Sequence, residues 1–233
     1  AIVHWGPSFE KILTEGRIGV GASMGVLTAA QAKRLADLGV RRYNHNLQTS
    51  RRHFPNIVST HSYDDRLATL RHVRAAGMEL CSGALFGMGE TWADRLDLAF
   101  ELRALDPEVV PLNFLIPIAG TPLSGLPPLE AGECLKMIAV YRYVVPRQEI
   151  TIAGGRETQL REVQSWIFAA GATGFLVGNY LTTCGGSVEA DRQMVRDLGL
   201  EIEPFREAVG PAARSRPVCD HRASRPCPSS AVE

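Results

Sequence analysis

Polar side chains that could bind a ligand recur directly after short apolar runs of the sequence. In "YNHN", residues 43–46, an imidazole lies between two amides, Asn44, His45 and Asn46. The other residues in this position are Ser23 and Met24, Cys81 and Ser82, Asn113, Gly154 to Glu157, and Asn179 with Thr182 and Thr183. Amides, hydroxyls and a thiol with few carboxylates are typical of a site that hydrogen-bonds a neutral polar ligand such as a urea or an amide.

The same residues also fit roles that involve no ligand. The amides of "YNHN" can equally satisfy backbone groups where a strand ends, and Cys81 can serve as a small buried hydrophobe. Cys134 falls within a helical pattern, so we expect it in the core. Neither a carboxylate pair nor a Ser-His-Asp arrangement is visible at these positions. A Schiff-base aldolase would need a lysine there, but Lys11, Lys33 and Lys136 fall in helical patterns.

Six apolar runs alternate with helical patterns along the chain. The runs are "RIGVGAS", "VRRYNHN", "MELCSGALFGMG", "VVPLNFLIPI", "EITIAGG" and "GFLVGNYL", and the fifth is followed by the helical pattern "TQLREVQSWIFAAG". Continuous apolar runs next to patterns of period 3.6 predict parallel strands covered by helices. Predicted helix starts and ends are marked by the N-caps Thr28, Ser62 and Ser187 and by Gly39, Gly77, Gly171 and Gly199.

Six βα units favour an α/β fold, either an incomplete (β/α)8-type barrel or a doubly wound sheet. We expect residues 1–203 to form a partial barrel domain that lacks the first two units. Residues 204–233 are rich in Pro, Ser and Arg, which predicts a disordered tail. In a barrel the active site lies at the C-terminal ends of the strands, where the polar residues fall. Two unpaired strand edges would favour poor solubility or a homodimer.

Composition excludes several classes of function. Lys plus Arg and Asp plus Glu number 25 each, so no net charge attracts nucleic acid or an anionic membrane. No apolar run approaches the roughly 20 residues of a membrane span, and no signal peptide is visible. We therefore expect a cytoplasmic protein. Its five cysteines are odd in number and widely spaced, which favours thiols or metal ligands over disulfides.

Five motifs carry a family resemblance. "YNHNLQTS", "CSGALFGMGE", "PLNFLIPIAGTPL", "GGRE" and "GNYLTT", in this order over residues 18–203, resemble biotin synthases of the radical S-adenosylmethionine superfamily. The resemblance implies a barrel that binds S-adenosylmethionine at a [4Fe–4S] cluster and inserts sulfur into dethiobiotin to form biotin. It also implies an auxiliary iron–sulfur cluster and an electron-donating flavoprotein or ferredoxin system as partner.

The resemblance also assigns roles to individual residues. Asn46 is expected to reach both dethiobiotin and S-adenosylmethionine, Arg66 to contact the cofactor, and Cys81 to bind the auxiliary cluster. The remaining substrate-binding residues that it implies are Asn113, Thr182 and Thr183.

The sequence departs from the family pattern at the cluster ligands. The CxxxCxxC loop that holds the [4Fe–4S] cluster does not occur in the 233 residues, and we expect it upstream. Ser23 and Thr151 stand where the family implies auxiliary ligands, and Gln48 stands where an acidic residue is common. We expect that the usual [2Fe–2S] site does not form unchanged, because hydroxyl oxygens substitute poorly for thiolates on iron.

Three interpretations of these departures remain open. The first is a biotin synthase variant whose auxiliary cluster has other ligands, with Cys184, Cys219 or Cys227 as candidates. The second is a related radical enzyme with another substrate, and the third is a non-catalytic ligand-binding remnant. We favour the first, because the amides and threonines that face the substrate in the family are all present. In each case we expect the chain alone to be inactive.

Overall fold

The core of the fold is a parallel β-sheet. The structure is a computed structural model that describes Ile12, residues 19–180 and residues 185–202. The strands are β1 (Gly21–Ala22), β2 (Arg42–Asn44), β3 (Glu79–Cys81), β4 (Ala84–Phe86), β5 (Val109–Phe114), β6 (Glu149–Ile152) and β7 (Gly174–Phe175). They are ordered β1-β2-β3-β5-β6-β7, with β4 also paired to β5, and every pairing is parallel.

One or two helices follow every described strand except β3. They are α1 (Ala29–Asp37), α2 (Tyr63–Ala75), α3 (Trp92–Leu105), α4 (Ala131–Val144), α5 (Arg156–Leu160), α6 (Trp166–Ala169) and α7 (Val188–Asp197), with 3-10 turns at Phe54–Asn56 and Arg161–Val163. Thr28, Ser62 and Ser187 accept hydrogen bonds from backbone N–H groups in the first turns of α1, α2 and α7. The three predicted N-caps are confirmed, since each satisfies a donor that the helix leaves unpaired.

The prediction of six βα units is confirmed, with one refinement. The third unit contains two strand segments, β3 and β4, separated by Ser82 and Gly83. A Cβ on Gly83 would lie 1.9 Å from the carbonyl oxygen of Pro111, so the chain passes β5 too closely for any larger residue. The described strands thus form an incomplete barrel-type sheet, in which β1 and β7 are the edges.

The predicted helix "TQLREVQSWIFAAG" is wrong as a single element. The structure has two short helices, α5 and α6, with a 3-10 turn between them. The break coincides with Arg161, whose φ of 49° is in the left-handed region. An L-residue in that region ends regular helix geometry, and the apolar periodicity on both sides does not reveal it.

The two sides of the sheet have different surroundings. Tyr43, Leu80, Val110 and Ile150 are at most 1% exposed and pack with the helices in one hydrophobic core. The intervening strand residues point to the other side, because side chains alternate along a strand. Residues that pair in register share a side, which places Asn44, Cys81, Val109 and Glu149 together there.

Parts of the predicted domain plan lie outside the described residues. These are the tail at 204–233, with Cys219 and Cys227, most of residues 1–18, and the segment 181–184. The domain boundaries therefore remain predictions. None of the described helices combines the length and apolar character needed to cross a membrane.

Candidate functional site

A cleft of about 400 Å³ opens at the C-terminal ends of β1 and β2. Its lining comes from the loop after β1, the segment after β2 and the start of α2. The lining residues are Ser23, Gly25, Val26, Asn44, His45, Asn46, Gln48, His61 and Arg66. The edge of the sheet predicted to hold the active site thus carries a cavity, and "YNHN" forms one of its walls.

Asn46 and Arg66, both predicted to contact the cofactor, lie together in this cleft. Arg66 Nη1 donates a hydrogen bond of 2.6 Å to the carbonyl oxygen of Asn46, and its guanidinium lies 5.4 Å from the ring centre of Phe54. The Nε of Arg66 is buried and has no partner among the described residues. Because a buried N–H is costly to leave unpaired, this donor is suited to a ligand group.

Two imidazoles add to the polar lining. The Nε2 atoms of His45 and His61 are both buried, and neither has a partner in the part of the chain that the structure describes. Burial, followed by the charges of Arg66 and His61, lowers the pKa of His45 to about 4, so this ring is neutral at pH 7. Since none of the described lining residues is a carboxylate, Arg66 gives the cleft a net positive charge. The lining favours a ligand with anionic or acceptor groups.

Gln48 contributes to the cleft through an unusual backbone conformation. Its φ is 73°, its N–H donates to Gly83, and its carbonyl accepts from Leu85. These two bonds hold the segment that follows β2 beside Gly83 and beside Leu85 of β4. The sequence identified Gln48 as a departure from the family pattern, but not its left-handed backbone.

Cys81 lies on the same side of the sheet as Asn44, its partner in register. Burial raises the pKa of the Cys81 thiol to about 11; Arg42 opposes this shift and Glu149 adds to it. Within the described ranges no group of three His, Cys, Asp or Glu side chains could hold a metal ion. A single thiol does not hold an iron–sulfur cluster, so these residues alone do not fit one.

The other two positions implied as auxiliary ligands belong to different elements of the sheet. Ser23 lines the cleft, whereas Thr151 lies within β6, where it pairs with Pro111 on β5 and with Gly174 on β7. The candidate ligand Cys184 is outside the described residues, and Cys134 is fully buried in α4, as predicted.

Asn113, a predicted substrate contact, does not line the cleft. Its Nδ2 donates to the carbonyl oxygen of Ala84, and its Oδ1 accepts from the N–H of Gly154, both at 3.0 Å. The amide therefore bridges β4 and the segment after β6, and it keeps one N–H and one lone pair beyond these two bonds. Thr182 and Thr183 lie outside the described residues.

Sequence reasoning singled out "GGRE" but missed that its arginine is fully buried. The Nη2 of Arg156 lies 2.9 Å from both Glu157 Oε1 and Asp191 Oδ2, and its Nη1 donates to Gln164. Its guanidinium also lies 4.4 Å from the ring centre of Phe175. This arrangement ties α5 to α7 and to β7. A basic residue directly after an apolar strand was the one available signal.

Glu157 connects the two described flanks of the segment 181–184. The hydroxyl of Tyr180 donates to the carboxylate of Glu157 at 3.0 Å, and the N–H of Gly186 donates to the same carboxylate at 3.3 Å. Both flanks are thus anchored on the residue that follows Arg156.

Comparison with known proteins shows what the chain resembles. Family models match in tandem: the radical SAM superfamily over residues 8–102, and the biotin and thiamin synthesis associated domain over residues 111–201. The biotin synthase of Heliobacterium modesticaldum is 54% identical over 194 residues, which make up 83% of this chain and 60% of that protein. The chain is homologous to biotin synthases.

Further relatives agree with this family. The biotin synthase of Syntrophotalea carbinolica is 52% identical over 84% of this chain and 60% of that protein. The biotin synthase of Endomicrobium trichonymphae is 50% identical over 79% of this chain and 58% of that protein. The chain therefore spans about 60% of the length of the biotin synthases that it matches. The resemblance seen in the five motifs is confirmed.

Solved structures show the same fold at low identity. Methylornithine synthase (PylB) superposes with a TM-score of 0.73 at 19% identity, covering 88% of this chain and 64% of that one. The hydrogenase maturase HydG from Carboxydothermus hydrogenoformans superposes with a TM-score of 0.71 at 17% identity, covering 85% of this chain and 51% of that one. These likenesses support the incomplete α/β barrel as the fold class, and the radical SAM superfamily itself is indicated by the family model over residues 8–102.

Proposed function

We propose that the chain is the ligand-binding part of a biotin synthase, a radical S-adenosylmethionine enzyme that inserts sulfur into dethiobiotin. The observation that carries the proposal is that Asn46 and Arg66 line one cleft at the C-terminal edge of the sheet. The homology to biotin synthases gives this cleft its expected ligands.

The lining fits S-adenosylmethionine. The molecule carries a carboxylate, ribose hydroxyls and adenine nitrogens, which match the guanidinium of Arg66 and the amides of Asn46 and Gln48. When bound, the cofactor and its [4Fe–4S] cluster supply the radical that removes hydrogen from the substrate. The protein's part is to orient the ligands and to exclude water.

Dethiobiotin is the proposed substrate, with Asn46, Asn113, Thr182 and Thr183 as its contacts. A cyclic urea presents N–H donors beside a carbonyl acceptor. After its two backbone bonds Asn113 keeps one N–H, which can donate to the urea carbonyl, and one oxygen lone pair, which can accept from a urea N–H. Cys81 is the proposed thiolate ligand of the auxiliary cluster. An electron-donating protein and a homodimer remain part of the proposal.

Binding measurements on the purified chain test the proposal. We expect calorimetry to detect S-adenosylmethionine and dethiobiotin, and Arg66→Gln to weaken S-adenosylmethionine binding by at least about tenfold, the loss of a charge-assisted hydrogen bond. Arg71→Gln is a matched control, because Arg71 is an exposed residue of the same helix. Unchanged affinity in Arg66→Gln would refute the assignment of the cleft.

The same measurements separate the alternatives. A related radical enzyme with another substrate would bind S-adenosylmethionine without dethiobiotin. A ligand-binding remnant would bind dethiobiotin but would not convert it when extended by a CxxxCxxC segment and reconstituted with iron and sulfide. A biotin synthase would form biotin in that extended state.

A further inference from the structure

The orientation of the Asn46 amide follows from one backbone contact. The N–H of Gly83 lies 3.0 Å from the side-chain oxygen of Asn46. A backbone N–H can only donate, so the oxygen, and not the nitrogen, of the amide must face Gly83. The NH2 group of Asn46 is therefore the end of the amide that remains for the cleft.

Gly83 is suited to this contact because it lies in the gap between β3 and β4. Its carbonyl accepts the N–H of Gln48, while its own N–H is directed to Asn46. Pro111 leaves no space for a side chain at this point. Gly83 thus binds two residues of the cleft wall with its two backbone groups, and its position is fixed by the neighbouring strand.

Arg66 completes the restraint on Asn46. It binds the main-chain carbonyl of Asn46, so that the side chain and the backbone of this residue are held by different elements. The Nε of Arg66 is a second N–H donor in the cleft, buried and without a partner among the described residues. Two oriented N–H donors are therefore available to a ligand, and the described lining holds no carboxylate to compete for them.

We propose that Gly83 is a positioning residue that fixes the Asn46 amide with its NH2 toward the ligand, so that the cleft selects hydrogen-bond acceptors. The chemical class selected is a carbonyl, a carboxylate or a hydroxyl oxygen that accepts. The identity of the ligand rests on the proposed function, whereas the direction of the amide does not.

The isosteric substitution Asn46→Asp tests this selection. One carboxylate oxygen can still accept from Gly83, but the group facing the cleft changes from a donor to an acceptor. We expect binding of S-adenosylmethionine and dethiobiotin, measured by calorimetry, to weaken at least about tenfold. Asn56→Asp is the matched control, because it makes the same change at an exposed asparagine that does not line the cleft; we expect a change of less than about threefold there.

Hydrogen exchange tests the positioning contact without any ligand. We expect the amide proton of Gly83, followed by NMR, to exchange slowly in the wild type and in Asn46→Asp, and at least about tenfold faster in Asn46→Ala. Equal exchange in wild type and Asn46→Ala would overturn the proposal. So would unchanged affinity in Asn46→Asp, or an equal loss in Asn56→Asp. A wild type that binds neither probe refutes the proposed function, while the exchange rates still decide the role of Gly83.

Discussion

Replacing Arg156 with Met removes the most deeply buried charged side chain among the residues that the structure describes. The guanidinium is 0% exposed and forms ion pairs with Asp191 and Glu157, whose side chains are 9% and 23% exposed. Breaking a buried pair by removing one partner costs about 3–5 kcal/mol, because the remaining carboxylate loses its counter-charge inside the protein. For a domain with a typical stability of about 5–15 kcal/mol this is a large share.

The two carboxylates differ in what they keep after the substitution. Glu157 retains Tyr180 and the N–H of Gly186, whereas Asp191 loses the buried hydrogen bond that Arg156 donates to it. Most of the cost is therefore expected at Asp191. Adding Asp191→Leu to Arg156→Met should recover at least about 1 kcal/mol, because an apolar replacement of both partners removes the unpaired charge.

Urea unfolding followed by tryptophan fluorescence measures both effects, with the slope m compared between variants to confirm a common unfolded state. Arg196→Met is the matched control, since Arg196 forms an exposed pair with Glu189 on α7 and should change stability little. A loss below about 1 kcal/mol in Arg156→Met, or no recovery in the double variant, would refute the reasoning.

Three further substitutions are expected to change stability by different mechanisms. Burial lowers the pKa of His45 from 6.5 to about 4 in the fold, so the unfolded state binds more protons between these pH values. Stability should therefore rise with pH across this window by up to about 3 kcal/mol, and His45→Gln should flatten the profile in urea unfolding. Asn113→Asp should destabilise by about 1–3 kcal/mol, because a carboxylate oxygen would face the carbonyl of Ala84; an unchanged urea midpoint would contradict this. Gly83→Ala should cost about 1–3 kcal/mol through its clash with Pro111, and a wild-type midpoint would show that β5 can move away.

The sequence predicted the fold where the determinants are local. Strands and helices differ in apolar period, and N-caps such as Thr28 and Ser62 satisfy donors within three residues of themselves. Glycines such as Gly39 and Gly77 do have the positive φ that a helix end requires, at 86° and 82°. Each of these signals depends on a few neighbouring residues, so one sequence is sufficient to read them.

The unpredicted features depend on contacts between distant parts of the chain. Arg156 is buried because Asp191, 35 residues later, supplies the counter-charge. The gap between β3 and β4 follows from the approach of Pro111 to Gly83, and the broken helix from a left-handed Arg161. Periodicity carries no information about such pairings, since they are set by tertiary packing.

Asn46 shows why a structural role and a functional role of one residue need not compete. At the end of β2 its oxygen accepts a hydrogen bond from a neighbouring strand segment, as expected of a polar residue that satisfies loose backbone groups. The same bond leaves its NH2 group as the end available to the cleft, so the capping contact orients the proposed ligand contact. A residue that only capped the strand would tolerate Asp without loss of binding, and a residue that only bound ligand would tolerate Ala without faster exchange at Gly83. We expect Asn46→Asp to weaken ligand binding and Asn46→Ala to speed exchange at Gly83, because one amide has both roles.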